Sequence, residues 1–165
     1  MPIKDEKLAI IPSDKLLTRD ILHVCVVVRD AEKTAKTLAD KFGIGPWEVH
    51  RKSYPKSHAT FRGEAVECTF KFAYAKAGPI TLELAEPISG KSSYKEFLDK
   101  HGEGLHHIGF VAPLPFDAEV KKWERQGIKP IQTAKLDDPE EGWGYMDTQD
   151  LVGFTMEILS FRKFQ

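Results

Sequence analysis

Leu22-His23-Val24-Cys25-Val26-Val27-Val28 is a short apolar run rich in β-branched residues, with a histidine near its start, and it reads as a strand. His106-His107-Ile108-Gly109-Phe110-Val111-Ala112, about half a chain length later, reads the same way. Each run leads into a helical pattern, so the second half of the chain repeats the first. After Asp30, a capping residue type, Ala35, Leu38, Ala39 and Phe42 make one apolar face of a helix over Ala31 to Phe42, and Gly43 can end it. From about Phe116, Phe116, Val120 and Trp123 share a face, with Gly127 at the expected stop.

Strand-like segments follow both helices. In the first half they are Trp47 to Arg51, Val66 to Tyr74 and Ile80 to Ala85; in the second, Lys129 to Thr133, Gly144 to Asp147 and Phe154 to Leu159. The order is therefore βαβββ, written twice, with an amphipathic linker helix between the halves over about Ser93 to His101, burying Tyr94, Phe97 and Leu98. The expected fold is α+β: two βαβββ modules paired into an open, cupped mixed β-sheet enclosing a metal site. The expected organisation is an N-terminal extension over 1–20 and one domain over 21–165, with module one at about 21–88, the linker helix at about 92–101 and module two at about 104–161.

The last strand of each half carries one glutamate among apolar neighbours: Glu83 in Thr81-Leu82-Glu83-Leu84-Ala85 and Glu157 in Thr155-Met156-Glu157-Ile158-Leu159. Strand alternation groups His23 with Cys25 and Val27, His107 with Gly109 and Val111, Glu83 with Thr81 and Ala85, and Glu157 with Thr155. The opposite faces hold Val24, Val26, Ile108, Phe110, Leu82, Leu84, Met156 and Ile158. A sheet with a packed back and a hollow front is expected. A lone strand histidine or glutamate is more often solvated than functional, but a His–Glu pairing that occurs twice in a duplicated frame points to convergence. Two buried unpaired carboxylates would cost several kcal/mol each, roughly. A divalent cation removes that penalty, and nitrogen with oxygen donors suits Zn, Ni, Co, Mn or Fe better than Ca or Mg. The expected metal ligands are His23, Glu83, His107 and Glu157. His107 rather than His106 aligns with His23 in the repeat.

With 24 basic against 25 acidic residues and a net charge of -1, the chain has no electrostatic reason to bind nucleic acid or an anionic membrane surface. Hydrophobic residues at 41% and charged residues at 30% are ordinary for a globular protein. No apolar run is long enough to cross a bilayer, and Met1 to Asp20 does not read as a signal peptide. Cys25 and Cys68 lack CxxC-type spacing, so free thiols and a cytoplasmic location are expected.

From about Ile21 to Phe161 the chain resembles the vicinal oxygen chelate superfamily, which includes glyoxalase I, methylmalonyl-CoA epimerase, extradiol dioxygenases and bleomycin-resistance proteins. Leu82-Glu83-Leu84-Ala85-Glu86-Pro87 and Gly104-Leu105-His106-His107-Ile108-Gly109-Phe110 look most like the epimerases, as does the linker Tyr94-Lys95-Glu96-Phe97-Leu98. The resemblance implies a metal-dependent isomerase or epimerase working through a metal-chelated enolate, with Glu157 and Glu67 as catalytic bases. It also implies a small-molecule substrate, an acyl-CoA being one candidate, and a homodimer. A glyoxalase-like lyase or isomerase, an extradiol-type dioxygenase and a small-molecule-sequestering resistance protein are the alternatives. Epimerases tend to carry His-Pro-Lys before the last strand, where this chain has Tyr145-Met146-Asp147-Thr148-Gln149-Asp150, and Gly43 to Gly63 also departs from them. These segments border the expected cavity, which leaves the substrate open.

Overall fold

The computed structural model describes residues 20–164, so the expected N-terminal extension lies outside the described residues apart from Asp20. In chain order the elements are β1 (Ile21–Val27), α1 (Ala31–Phe42), β2 (Glu48–Tyr54), β3 (Ala59–Phe61), β4 (Glu64–Ala65), β5 (Cys68–Ala77), β6 (Ile80–Ser89), α2 (Ser93–His101), β7 (Gly104–Val111), α3 (Phe116–Arg125), β8 (Pro130–Lys135), β9 (Gly142–Met146), α4 (Gln149–Val152) and β10 (Thr155–Ser160). The helices stop and start where local chemistry dictates. Asp30 Oδ1 accepts from the Lys33 N–H at 2.9 Å to open α1. Gly43, at φ 67°, closes that helix in the left-handed conformation that costs glycine least. Ser92 caps α2 through Lys95 N–H.

All ten strands form one curled, open mixed sheet in the order β2-β5-β6-β1-β7-β10-β9-β8-β3-β4. The first and last strands of each half run parallel, β1 with β6 and β7 with β10, and the halves meet along the antiparallel β1–β7 pair. That is the expected α+β architecture of two βαβββ modules in one cupped sheet. The chain adds two features to it. The β3–β4 hairpin of the first half crosses to the far edge and pairs with β8 of the second, and the single turn α4 precedes β10.

The expected hollow front holds both a cavity and a packed core. The main core lies on the concave side, where Cys25, Val27, Phe70, Phe72, Tyr94, Leu98, Trp143, Tyr145 and Leu159 pack together. Helix α2 supplies Tyr94 and Leu98 to this cluster. On the convex side α1 covers Ala73 and Leu84, and α3 covers Met146 and Ile158, each as a separate smaller core. The two helices shield the flanks of the sheet, and Val24, Val26, Ile108 and Phe110 on the two central strands stay only half-buried.

Candidate metal centre

The central pairing places the four expected residues in two rows across the sheet. One row reads Thr81, His23, Gly109, Glu157; the other reads Glu83, Cys25, His107, Thr155. The rows are related by the repeat. His23 leans across Gly109 of the other half, His107 stands opposite Cys25, and each glutamate ends a row. Gly109 makes this possible for His23, because a Cβ built there would lie 2.5 Å from His23 Cε1 and 2.6 Å from Nε2. Only a residue without a side chain leaves that space.

The side chains converge. His23 Nε2 lies 2.7 Å from Glu157 Oε2 and 3.0 Å from Glu83 Oε2. His107 Nε2 lies 2.9 Å from His23 Nε2 and 3.1 Å from Glu157 Oε2. All four residues are buried, with His107 at 0% exposure. Despite these close approaches, Glu157 Oε2 has no hydrogen bond of acceptable geometry among the described residues. Donor atoms about 3 Å apart are spaced as ligands of one cation with bonds of about 2.0–2.2 Å. His23, His107 and Glu157 form one group able to hold an ion, and Cys25, Glu83 and His107 form an overlapping one.

Charge is displaced accordingly. Burial opposes a proton on His23, but the Glu83 and Glu157 carboxylates override it and raise its pKa to about 10. Burial would push Glu157 up, yet His107 and His23 hold it down at about 2. Burial raises the Cys25 thiol well above its usual value, and Glu83 and Glu157 push it further, so it stays protonated. Cys25, free as expected, thus stands inside the cluster rather than apart from it.

His106, which repeat alignment does not match to His23, has its own place. A register shift between β1 and β7, where Cys25 faces His107 and Val26 faces Leu105, leaves His106 as the bulged residue. Both histidines therefore turn inward, and His106 Nδ1 lies 2.9 Å from His107 Nδ1. Burial, then the charge of His107, hold His106 well below its usual pKa, so it is neutral. Its contact with the Ser93 backbone acts the other way and favours its protonated form. With His106 accepting at Nδ1 from a neutral His107, the His107 Nε2 lone pair would be left for a metal.

The cluster opens on a cavity of about 940 Å³ whose walls include Tyr54, Phe72, Tyr74, Trp143, Tyr145 and Phe161. Glu67 does not join it. Strand β5 begins at Cys68, and its inward residues are Cys68, Phe70, Phe72 and Tyr74, so the exposed Glu67 precedes the strand on the other parity. Lys71, of the same parity, ion-pairs Glu32 at 2.9 Å outside the cavity. The polar groups that do face the cavity from this wall are Glu48, His50, Lys52 and Tyr54 of β2. The strand runs beyond the expected end at Arg51 to Tyr54, and its alternation carries the signal.

Residues 22–146 match the family model described as the Glyoxalase/Bleomycin resistance protein/Dioxygenase superfamily. Among solved structures, the fold is similar to methylmalonyl-CoA epimerase from Mycobacterium tuberculosis, with TM-score 0.61 and 16% identity over 94% of this chain and 95% of that one. It is also similar to a Streptomyces coelicolor methylmalonyl-CoA epimerase variant in complex with 2-nitronate-propionyl-CoA, with TM-score 0.56 and 20% identity over 88% of this chain and 96% of that one. A hypothetical protein from Bacillus halodurans matches with TM-score 0.60 and 16% identity over 87% and 94%. The uncharacterized protein YqjC of Bacillus subtilis is 49% identical over 39 residues, which span 24% of this chain and 28% of that protein.

Proposed function

The chain belongs to the Glyoxalase/Bleomycin resistance protein/Dioxygenase superfamily, and we propose that within it the protein is a divalent-metal isomerase of the epimerase type, moving a proton at a carbon flanked by two oxygen-bearing groups. His23, Glu83, His107 and Glu157 are the residues that would hold the metal. The carrying observation is the orphaned, fully enclosed Glu157 Oε2 among two imidazole nitrogens. Two carboxylates and two neutral imidazoles balance a divalent charge, and the donor set suits Zn, Ni, Co, Mn or Fe. When bound, the ion supplies Lewis acidity to a substrate carbonyl oxygen and so acidifies the neighbouring carbon.

The chain's own groups divide the remaining work. Glu157 is the base on the metal side of the cavity. Since Glu67 faces away, the opposite face of the substrate is served from β2, where Lys52, His50 and Tyr54 line the wall. The Tyr54 hydroxyl already accepts from Trp143 Nε1 at 3.2 Å, so its own proton is free to donate, and burial pushes its pKa up to about 12. Phe72, Tyr74 and Trp143 give the cavity an apolar wall. The epimerases with similar folds make methylmalonyl-CoA the first substrate to try. In deuterated water the metal-loaded protein should introduce deuterium at its α-carbon, and Glu157→Gln should stop this. Absence of exchange in a protein that binds metal would remove the epimerase reading.

A further inference from the structure

Among the described residues, three lysines that line the cavity make no ion pair: Lys76, whose ammonium lies 3.4 Å from Thr81 Oγ1, and Lys52 and Lys163. The neighbours of Lys52 and Lys163 are rings. Lys52 Nζ lies 5.6 Å from the centroids of both Phe72 and Tyr74, and Lys163 Nζ lies 4.9 Å from that of Phe164. The third cation near them, Arg162, is committed to Asp138 and Glu140.

Burial lowers the Lys52 pKa, the Glu83 and Glu157 carboxylates raise it, and Lys163 lowers it further, so these charges sense one another across the cavity. The two glutamates are its only balancing charges in that set. Once they neutralise a divalent cation they no longer serve Lys52. The other lining carboxylates are engaged elsewhere, Glu48 3.7 Å from His50 and Glu141 accepting from the Arg162 N–H at 2.6 Å, which leaves the two exposed ammonium groups at the mouth of the cavity without a counter-charge. Such an arrangement favours an incoming anion. The walls say what accompanies it. Phe72 and Tyr74 lie nearly parallel, 19° apart with centroids at 5.8 Å, and Tyr54 meets Trp143 edge-on at 5.4 Å, presenting flat apolar surface beside the cation.

We propose that Lys52 and Lys163 bind an anionic group, a carboxylate, of the reacting molecule, whose flat unsaturated or aromatic body lies against the Phe72, Tyr74 and Trp143 wall. This rests on the metal-dependent reading of the site and specifies its substrate class.

The test is calorimetric titration of the metal-loaded protein at low salt with benzoylformate, pyruvate, uncharged 1-phenyl-1,2-propanedione and methylmalonyl-CoA. Metal affinity is measured separately on each variant. Benzoylformate should bind more tightly than pyruvate. Lys52→Met should weaken it by about tenfold, Lys52→Arg should restore most of the loss, and the uncharged diketone should bind both proteins alike. Tighter binding of methylmalonyl-CoA than of benzoylformate would overturn the flat-body assignment, because the methylmalonyl group is neither flat nor unsaturated. Equal benzoylformate affinity in wild type and Lys52→Met, an equal loss for the diketone, or pyruvate binding as tightly as benzoylformate would each overturn the proposal. Failure to bind metal in the wild type would instead overturn the reading on which it rests.

Discussion

Replacing Gly109 with alanine adds one methyl group at the point where the two halves of the site interlock. Its Cβ would stand 2.5 Å from His23 Cε1, 2.6 Å from Nε2 and 2.9 Å from Nδ1. Carbon atoms in contact settle at about 3.5–4.0 Å, so the imidazole must withdraw by about 1 Å. It cannot do so and keep Nε2 at 2.7 Å from Glu157, 3.0 Å from Glu83 and 2.9 Å from His107 Nε2. Disturbing how a ligand is held typically costs about 10–100-fold in metal affinity. The metal-free protein loses about 1–3 kcal/mol from overpacking, a fall of roughly 2–12 °C in Tm at about 2–4 °C per kcal/mol. Competition against a chromophoric chelator measures the first effect, and thermal unfolding without metal measures the second. Gly104→Ala is the control on the same strand, because its Cβ meets only Phe97, at an ordinary 3.8 Å, and metal affinity should not change. Wild-type metal affinity in a folded Gly109→Ala protein would refute the interlocking arrangement.

His106→Leu should lower metal affinity by about tenfold or more with little change in unfolding temperature, and His106→Gln should recover part of the affinity; chelator competition reads both. Gln132→Met should cost about 1–3 kcal/mol of stability, measured by denaturant unfolding, because Gln132 Oε1 is the acceptor for the buried Ser93 N–H at 2.9 Å and Oγ at 3.0 Å. In the metal-free protein His23 has its pKa raised from 6.5 to about 10. The stability it contributes is complete below the unfolded value and lost as pH climbs toward the folded one, so the metal-free Tm should decline between pH 7 and 10. The same raised pKa means that metal binding near pH 7.5 should release about one proton, seen as a buffer-dependent binding enthalpy.

The repeat made the site legible because each strand fixes parity. His23 and Glu157 had to share the concave face once β1 paired with β7 and β7 with β10. The helices were legible for the same local reasons, Asp30 and Gly43 bracketing α1. Parity, however, does not tell which face is covered. Helix α2 and the curled walls bury the front, while α1 and α3 reach only the flanks of the back, so Val24 and Phe110 stay half-buried. The β3–β4 hairpin is three residues against two, too short for a period to register, and its place beside β8 depends on contacts across the whole sheet. A bulge at His106 breaks the alternation, so parity alone does not show that it turns inward beside His107. Glu67 was placed inside a strand that begins one residue later, with Cys68.

Elemental analysis of the purified protein, after exposure to divalent metals and removal of the excess, bears most directly on the shared ion. The account requires close to one bound metal per chain, and its loss from His107→Ala and Glu83→Ala proteins that retain wild-type circular dichroism. A wild-type chain that retains no metal, or folded variants that hold as much as it does, would contradict it.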